Sequence, residues 1–145
     1  MTMNTLKFLL IAFILACIAL LTNGCTPARP AALSNEEVKQ ATENILVAIN
    51  AGDYQSFSLD YSDEMKGAMT ESDFNDLRTM LSETSGNYLS CGDEPALSNR
   101  ETYAIYSYEC EFEKEMVRVT VVFAIDGSLV EGLFFDSKAL RAANP

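Results

Sequence analysis

The stretch YAIYSYECEFEKEMVRVTVVFAIDGSLVEGLFF, residues 103–135, decides the fold. Ala104, Tyr106, Tyr108, Cys110 and Phe112 alternate with Tyr103, Ile105, Ser107, Glu109 and Glu111, so one side is apolar and the other largely wet. That period of two is the mark of a half-buried strand. Val117, Val119, Val121 and Phe123 repeat it, Asp126-Gly127 offers a two-residue hairpin turn, and a last strand runs from about Leu129 to Phe135. A turn at Glu113-Lys114 sets Cys110 opposite Val117 and Tyr108 opposite Val119. A turn at Asp126-Gly127 sets Phe123 opposite Val130 and Val121 opposite Gly132, with Phe134 on the same side. Both registers gather the apolar residues on one face, which predicts an antiparallel meander packed on helices, an α+β arrangement.

Upstream, the period is helical. Ser34 with Glu37 forms a capping box, Val38, Ala41, Ile45, Ala48 and Ile49 follow at helical spacing, and Gly52 ends the helix. Asp53 begins a short second helix carrying Phe57. Thr70 with Asp73 announces a third, which carries Phe74, Leu77 and Leu81 and stops before Gly86. The expected outline is three N-terminal helices on a curled four-stranded antiparallel sheet over residues 34–136, followed by a tail over 137–145.

Residues 1–33 read differently. Lys7 precedes fourteen apolar residues, Phe8 to Leu21, and Thr22-Asn23-Gly24 leads into Cys25. A run of this length is short for a bilayer span, which needs about 20 residues, but suits an export signal. A basic residue, an apolar run and a small residue before Cys read as a bacterial lipoprotein signal over 1–24, with Cys25 as the lipidation site and residues 25–33, which include Pro27 and Pro30, as a tether. The expected location is the cell envelope, outside the cytoplasm, lipid-anchored to a membrane. Removing residues 1–24 leaves 121 of the 145, enough for one small domain. It also removes one of the 10 basic residues and none of the 21 acidic ones, so the charge becomes -12. That balance argues against nucleic acid, whose phosphates need clustered Lys and Arg, and against an anionic membrane face bound through charge.

The stretch AGDYQSF after the first helix, TESDF opening the third, the Gly86 break and the DG hairpin before the last strand together resemble the nuclear transport factor 2-like superfamily. Within it, the likeness is nearest to a bacterial domain-of-unknown-function family, number 3887, over about residues 35–136. The spacing from Gly127 to Gly132 is a residue longer than the usual pattern. The resemblance implies a cone, with helices closing over a strongly bent sheet and often a pocket inside. It implies no single activity, since related cones serve as isomerases, dehydratases, binding modules and extracytoplasmic accessory domains.

The chain contains no His, which removes the commonest general base, the Ser-His-Asp and Cys-His arrangements and His metal sites. Phosphate loops and zinc spacings are also missing. Isomerases of the resembled superfamily use a buried carboxylate and Tyr hydroxyls, which makes Asp60 or Asp53 with Tyr106 and Tyr108 the candidates. The expected pocket lining is Tyr106, Tyr108, Val121, Phe134 and Asp60. Inward Tyr on a strand is more often core filling, and Asp53 is better explained as a helix cap. Asp60, Asp63 and Glu64 lack the loop pattern of a calcium site. No cofactor and no metal are expected.

The functional reading is a non-catalytic, lipid-anchored binding or accessory domain for an envelope protein or a small apolar ligand. The alternative is an isomerase or lyase of the cone type. Met116, Val122, Ala124, Leu129, Leu133 and Phe135 fall on the outer sheet face, a candidate patch for a homodimer or partner. Finally, Cys17 lies in the signal and Cys25 takes lipid, leaving Cys91 and Cys110 in a compartment where disulfides persist. A turn at Arg100-Glu101 places them opposite each other, with Leu89 opposite Phe112, and predicts their disulfide.

Overall fold

The computed structural model describes residues 32–143. The predicted signal, Cys25 and the tether up to residue 31 lie outside the described residues. Ser34 caps α1 (Asn35–Ala51) through the reciprocal box with Glu37, and Gly52, at φ 70°, closes it in the left-handed conformation that suits glycine. Asp53 caps the single-turn α2 (Tyr54–Phe57), accepting from the amides of Gln55 and Ser56. Ser62 then caps α3 (Asp63–Ala68), and Thr70 with Asp73 caps α4 (Glu71–Thr84). Four helices therefore precede the sheet instead of the expected three. The extra one, α3, spans 6 residues and buries only Met65, so it has no apolar period to read.

Five strands follow: β1 (Tyr88–Cys91), β2 (Ala96–Arg100), β3 (Tyr103–Phe112), β4 (Met116–Ala124) and β5 (Val130–Asp136). The sheet is antiparallel in the order β1-β3-β4-β5, with β2 also paired to β3. The expected first strand is thus divided in two. Cys91 lies opposite Cys110 and Ala96 opposite Ser107, so five steps of chain answer three. Gly92-Asp93-Glu94-Pro95 takes up the excess, and Pro95 has no amide to give a ladder. The turn into β3 falls at Glu101-Thr102, one residue later than expected, with Glu101 at φ 42°.

The β3–β4 register is the expected one, Cys110 opposite Val117 and Tyr108 opposite Val119. In β5, Phe123 faces Val130 as expected, but Val122 faces Gly132 and Val121 faces Leu133. Glu131 is the extra residue of a bulge, which corrects the last strand: Leu133 turns inward, and Phe134 turns outward. The hairpin also turns one step earlier than Asp126-Gly127, with the Gly127 amide donating to Ala124 O at 3.0 Å. The C-terminal segment read as a tail forms α5 (Lys138–Ala143) and buries Leu140.

One core joins the layers. Val38, Ile45, Leu46 and Ile49 of α1, Phe57, Phe74 and Leu81 meet Tyr106, Tyr108, Val117, Val119, Val121 and Phe123 of the inner sheet face. Each such side chain contributes about 1.5 to 3 kcal/mol by leaving water. Cys91 and Cys110 form the predicted disulfide across β1 and β3. The pairing arises by a different route from the one expected: Phe112 faces Tyr88 and not Leu89, because a bulge lies between Tyr88 and Ser90.

Candidate functional site

The inward face of β3 and β4 is where the expected pocket would lie, and strand alternation aims Tyr106, Tyr108 and Val121 there. Those three residues are all buried, at most 1% exposed, among Phe57, Phe74, Val119 and Phe123. The interior is filled with rings and branched side chains. Rings pack edge to face or tilted: Phe57 with Phe74 at 4.6 Å, Phe57 with Tyr61 at 5.0 Å, Tyr106 with Phe123 at 6.0 Å. Burial pushes the Tyr108 hydroxyl up to about 12, and it donates to Asn35 O at 3.5 Å, a long bond. Burial raises Tyr106 too. Both hydroxyls keep their protons at neutral pH.

The remaining expected lining residues are elsewhere. Phe134 is 62% exposed on the outer face, since the Glu131 bulge reverses its side. Its ring lies over Gly132, where an added Cβ would come within 3.2 Å of it. Asp60 is partly exposed and lines an outer hollow of about 320 Å³ with Asn44, Val47, Ala48, Ser56 and Leu59. Its carbonyl accepts from the Val130 amide. Asp53 is the α2 cap, its carboxyl held low by the hydroxyl and amide of Ser56. Asp63 and Glu64 occupy the first turn of α3, where a helix N-terminus favours negative charge. Tyr106, Tyr108 and Val121 are therefore brought together without Phe134 or Asp60, and no group of three or more acidic or Cys side chains among the described residues could hold a metal ion.

Polar chemistry is concentrated at the rims. Glu115 accepts from the hydroxyls of Ser85 and Ser137, both at 2.7 Å, and from the Ala139 amide at 3.3 Å. Partial burial pushes its carboxyl up, and these donors outweigh that and hold it low. The cluster ties the end of α4 and the start of α5 to the β3–β4 hairpin. Asn50 pairs like a strand with Tyr88, accepting from its amide at 3.0 Å and donating to its carbonyl at 2.9 Å. Tyr61 is 1% exposed, and its hydroxyl has no hydrogen-bond partner among the described residues. None of these roles was legible in the sequence, because each depends on which distant backbone the side chain meets.

The outer sheet face carries Tyr103 and Phe134, 44% and 62% exposed, around the half-buried Ile105, Val122 and Ala124, with Met116 set apart at the far end of the β3–β4 ladder. Leu133 and Phe135, expected there, belong instead to the core or its margin. Toward the other end that face is polar, with a Ser107–Thr120 hydroxyl pair at 2.9 Å and an Arg118–Glu109 ion pair at 2.8 Å. Among the described residues no helix is long and apolar enough to cross a membrane.

No curated protein and no solved structure matches the chain. The family described as "Protein of unknown function (DUF3887)" matches residues 31–131 of the 145, from the start of the described chain into β5, and the chain belongs to that family.

Proposed function

We propose that this protein is a non-catalytic binding domain of the cell envelope, built as a nuclear transport factor 2-like cone and held to a membrane by lipid on Cys25. The observation that carries the reading is the filled interior. Where a cone enzyme needs a pocket and a carboxylate, this one places fully buried Tyr106, Tyr108 and Val121 against Phe57 and Phe123. Its carboxylates lie outside, as caps and rim partners. Such a body works through its surface, which favours a polypeptide partner over a small apolar ligand and over an isomerase or lyase. The apolar run before Gly24-Cys25 supports the anchor.

Two measurements test this. Mass spectrometry of protein extracted from bacterial membranes is expected to find a diacylglycerol-modified Cys25 at the N-terminus, and Cys25→Ala to abolish the modification. An intact Met1 in the mature protein would overturn the anchor. The dye 1-anilinonaphthalene-8-sulfonate is expected to stay dim with the folded domain, and saturable, equimolar binding would overturn the filled interior.

A further inference from the structure

Strand edges present unpaired amides and carbonyls, and folded proteins usually cover them. Here the outer edge of β1 is met by Asn50, which takes both the amide and the carbonyl of Tyr88. The edge of β5 is met by the chain between α2 and α3: Val130 donates to Asp60 O at 2.8 Å and accepts from the Ser62 amide at 3.0 Å. Among the described residues the edge of β2 has no such cover. All of Ala96–Arg100 is exposed, Leu97 at 52%.

Ladder parity shows which groups are free. Phe112 donates to Glu115 O across the β3–β4 turn, so Phe112 and every second residue back to Ala104 bond toward β4. Tyr103, Ile105 and Ser107 then bond toward β2, to Arg100, Ser98 and Ala96. Leu97 and Asn99 point their amides and carbonyls to the open side.

Acidic residues flank this edge: Asp93 and Glu94 precede the strand and Glu101 follows it, with Asp93 held by Lys39 at 2.6 Å. The break between β1 and β2 opens a hollow of about 350 Å³ lined by Gly92, Glu94, Ala96, Ser107, Glu109 and Arg118. Arg118 is taken by Glu109, which leaves Glu94 without a hydrogen-bond or ion-pair partner among the described residues. Arg100 is the basic residue of the strand itself. A second copy would bring the same acidic balance, a net charge of -11 over the full chain, whereas a basic segment would complement Glu94 and Glu101.

We infer that the free edge of β2 takes an extended, basic segment of a partner polypeptide by strand addition, its backbone pairing with Leu97 and Asn99 and its cationic side chains facing Glu94 and Glu101. The inference rests on the reading of this protein as a surface-binding domain and names the place and chemistry of the contact.

The probe is a short, blocked peptide alternating lysine and valine, titrated into the isotope-labelled domain at low salt. Saturable shifts of the Leu97 and Asn99 amide signals are expected. Methylating the peptide amides along one edge is expected to weaken binding about tenfold or more, as is replacing its lysines by glutamates. Asn99→Pro removes an amide that the β2–β3 ladder does not use and is expected to have the same effect in a folded domain. Peptide methylation supplies the test without altering the protein if that variant fails to fold. No binding, binding indifferent to methylation, or equal binding of the glutamate peptide overturns the proposal. A concentration-dependent dimer in ultracentrifugation that Asn99→Pro abolishes would assign the edge to a second copy and overturn it too. Each of these failures leaves the filled interior standing, since the dye measurement decides that separately.

Discussion

From the Tyr103–Ala124 pair to the Glu111–Met116 pair, β3 and β4 keep one register without interruption. Each flanking strand slips: β1 and β2 are separated by extra residues around Gly92–Pro95, and β5 carries a bulge at Glu131. The difference follows from what each strand packs against. The central pair has a neighbour on both sides and a continuous apolar face, so a slip of one residue would turn Tyr106, Tyr108, Val119 and Val121 to water together. A flanking strand has only one strand neighbour to satisfy, and β1 and β5 also bend to meet Asn50 of α1 and the chain between α2 and α3. An inserted residue supplies that bend.

The largest expected effect tests the central pair. Val121→Asp or Tyr108→Asp puts an unpaired charge on a face that is fully buried, and each is expected to cost at least about 4 kcal/mol, enough to unfold a small domain. Glu111→Lys, on the wet face, is expected to change stability by less than about 0.5 kcal/mol. Urea unfolding of the variants checks both, and a damaging Glu111→Lys beside a tolerated Val121→Asp would break the contrast.

Legibility divided along the same line. The β3–β4 pairing, the caps at Ser34, Asp53 and Thr70, and the Gly52 stop were readable, because each depends on residues close in sequence or on an uninterrupted alternation. Phe134 was assigned to the wrong face because alternation counted from Val130 cannot reveal that Glu131 is extra. That surplus is explained only by what meets β5: Ser62, whose hydroxyl donates to Glu131 at 2.9 Å, and Tyr61, which bridges to Val130. The Cys91–Cys110 pairing came out correctly although the turn was misplaced by a residue, since the surplus before Ala96 offset the later turn. The candidate site was the least legible part. Tyr106 and Tyr108 were placed inward correctly, but a sequence does not say whether an inward ring lines a space or fills it.

The next effect sharpens the flank. The disulfide joins β1 to β3 with a sequence separation of 19 residues and holds the strip that slips to the strip that does not. In the chain-entropy model, closing a loop of that length is worth about 3 kcal/mol. Reduction, or Cys91→Ala with Cys110→Ala, is therefore expected to lower the urea midpoint by a comparable free energy while leaving the β3–β4 amides the slowest to exchange. Non-reducing peptide mapping that recovers both thiols free would refute the pairing.

Alkaline titration tests the burial of the interior tyrosines. Tyr108, Tyr106 and Tyr61 are all raised from the ordinary value of 10.0, chiefly by burial. The folded state then holds protons that the unfolded chain releases. The contribution of these tyrosines to stability should be constant below pH 10 and should be lost as the pH rises from 10 toward 12 and beyond. Ultraviolet absorbance at the phenolate band is expected to show Tyr108, Tyr106 and Tyr61 ionising together with unfolding. Phenolate formation by Tyr108, Tyr106 and Tyr61 near pH 10, with the fold intact, would mean the interior is open to water.

The smallest effect belongs to Tyr61→Phe. Tyr61 lies where the helix linker meets β5, its ring packed edge to face on Phe57 and its backbone bridged to Val130, while its hydroxyl is buried with no partner among the described residues. An unpaired buried hydroxyl costs about 1 to 3 kcal/mol relative to a paired one, and removing it without changing the ring's shape avoids that cost. Tyr61→Phe is expected to be neutral or stabilising by about 1 kcal/mol, and Tyr61→Ala, which deletes the ring, to cost about 3 kcal/mol or more. If Tyr61→Phe were as damaging as Tyr61→Ala, the hydroxyl would be holding the flank, and the cover over β5 would rest on a polar contact instead of on ring packing.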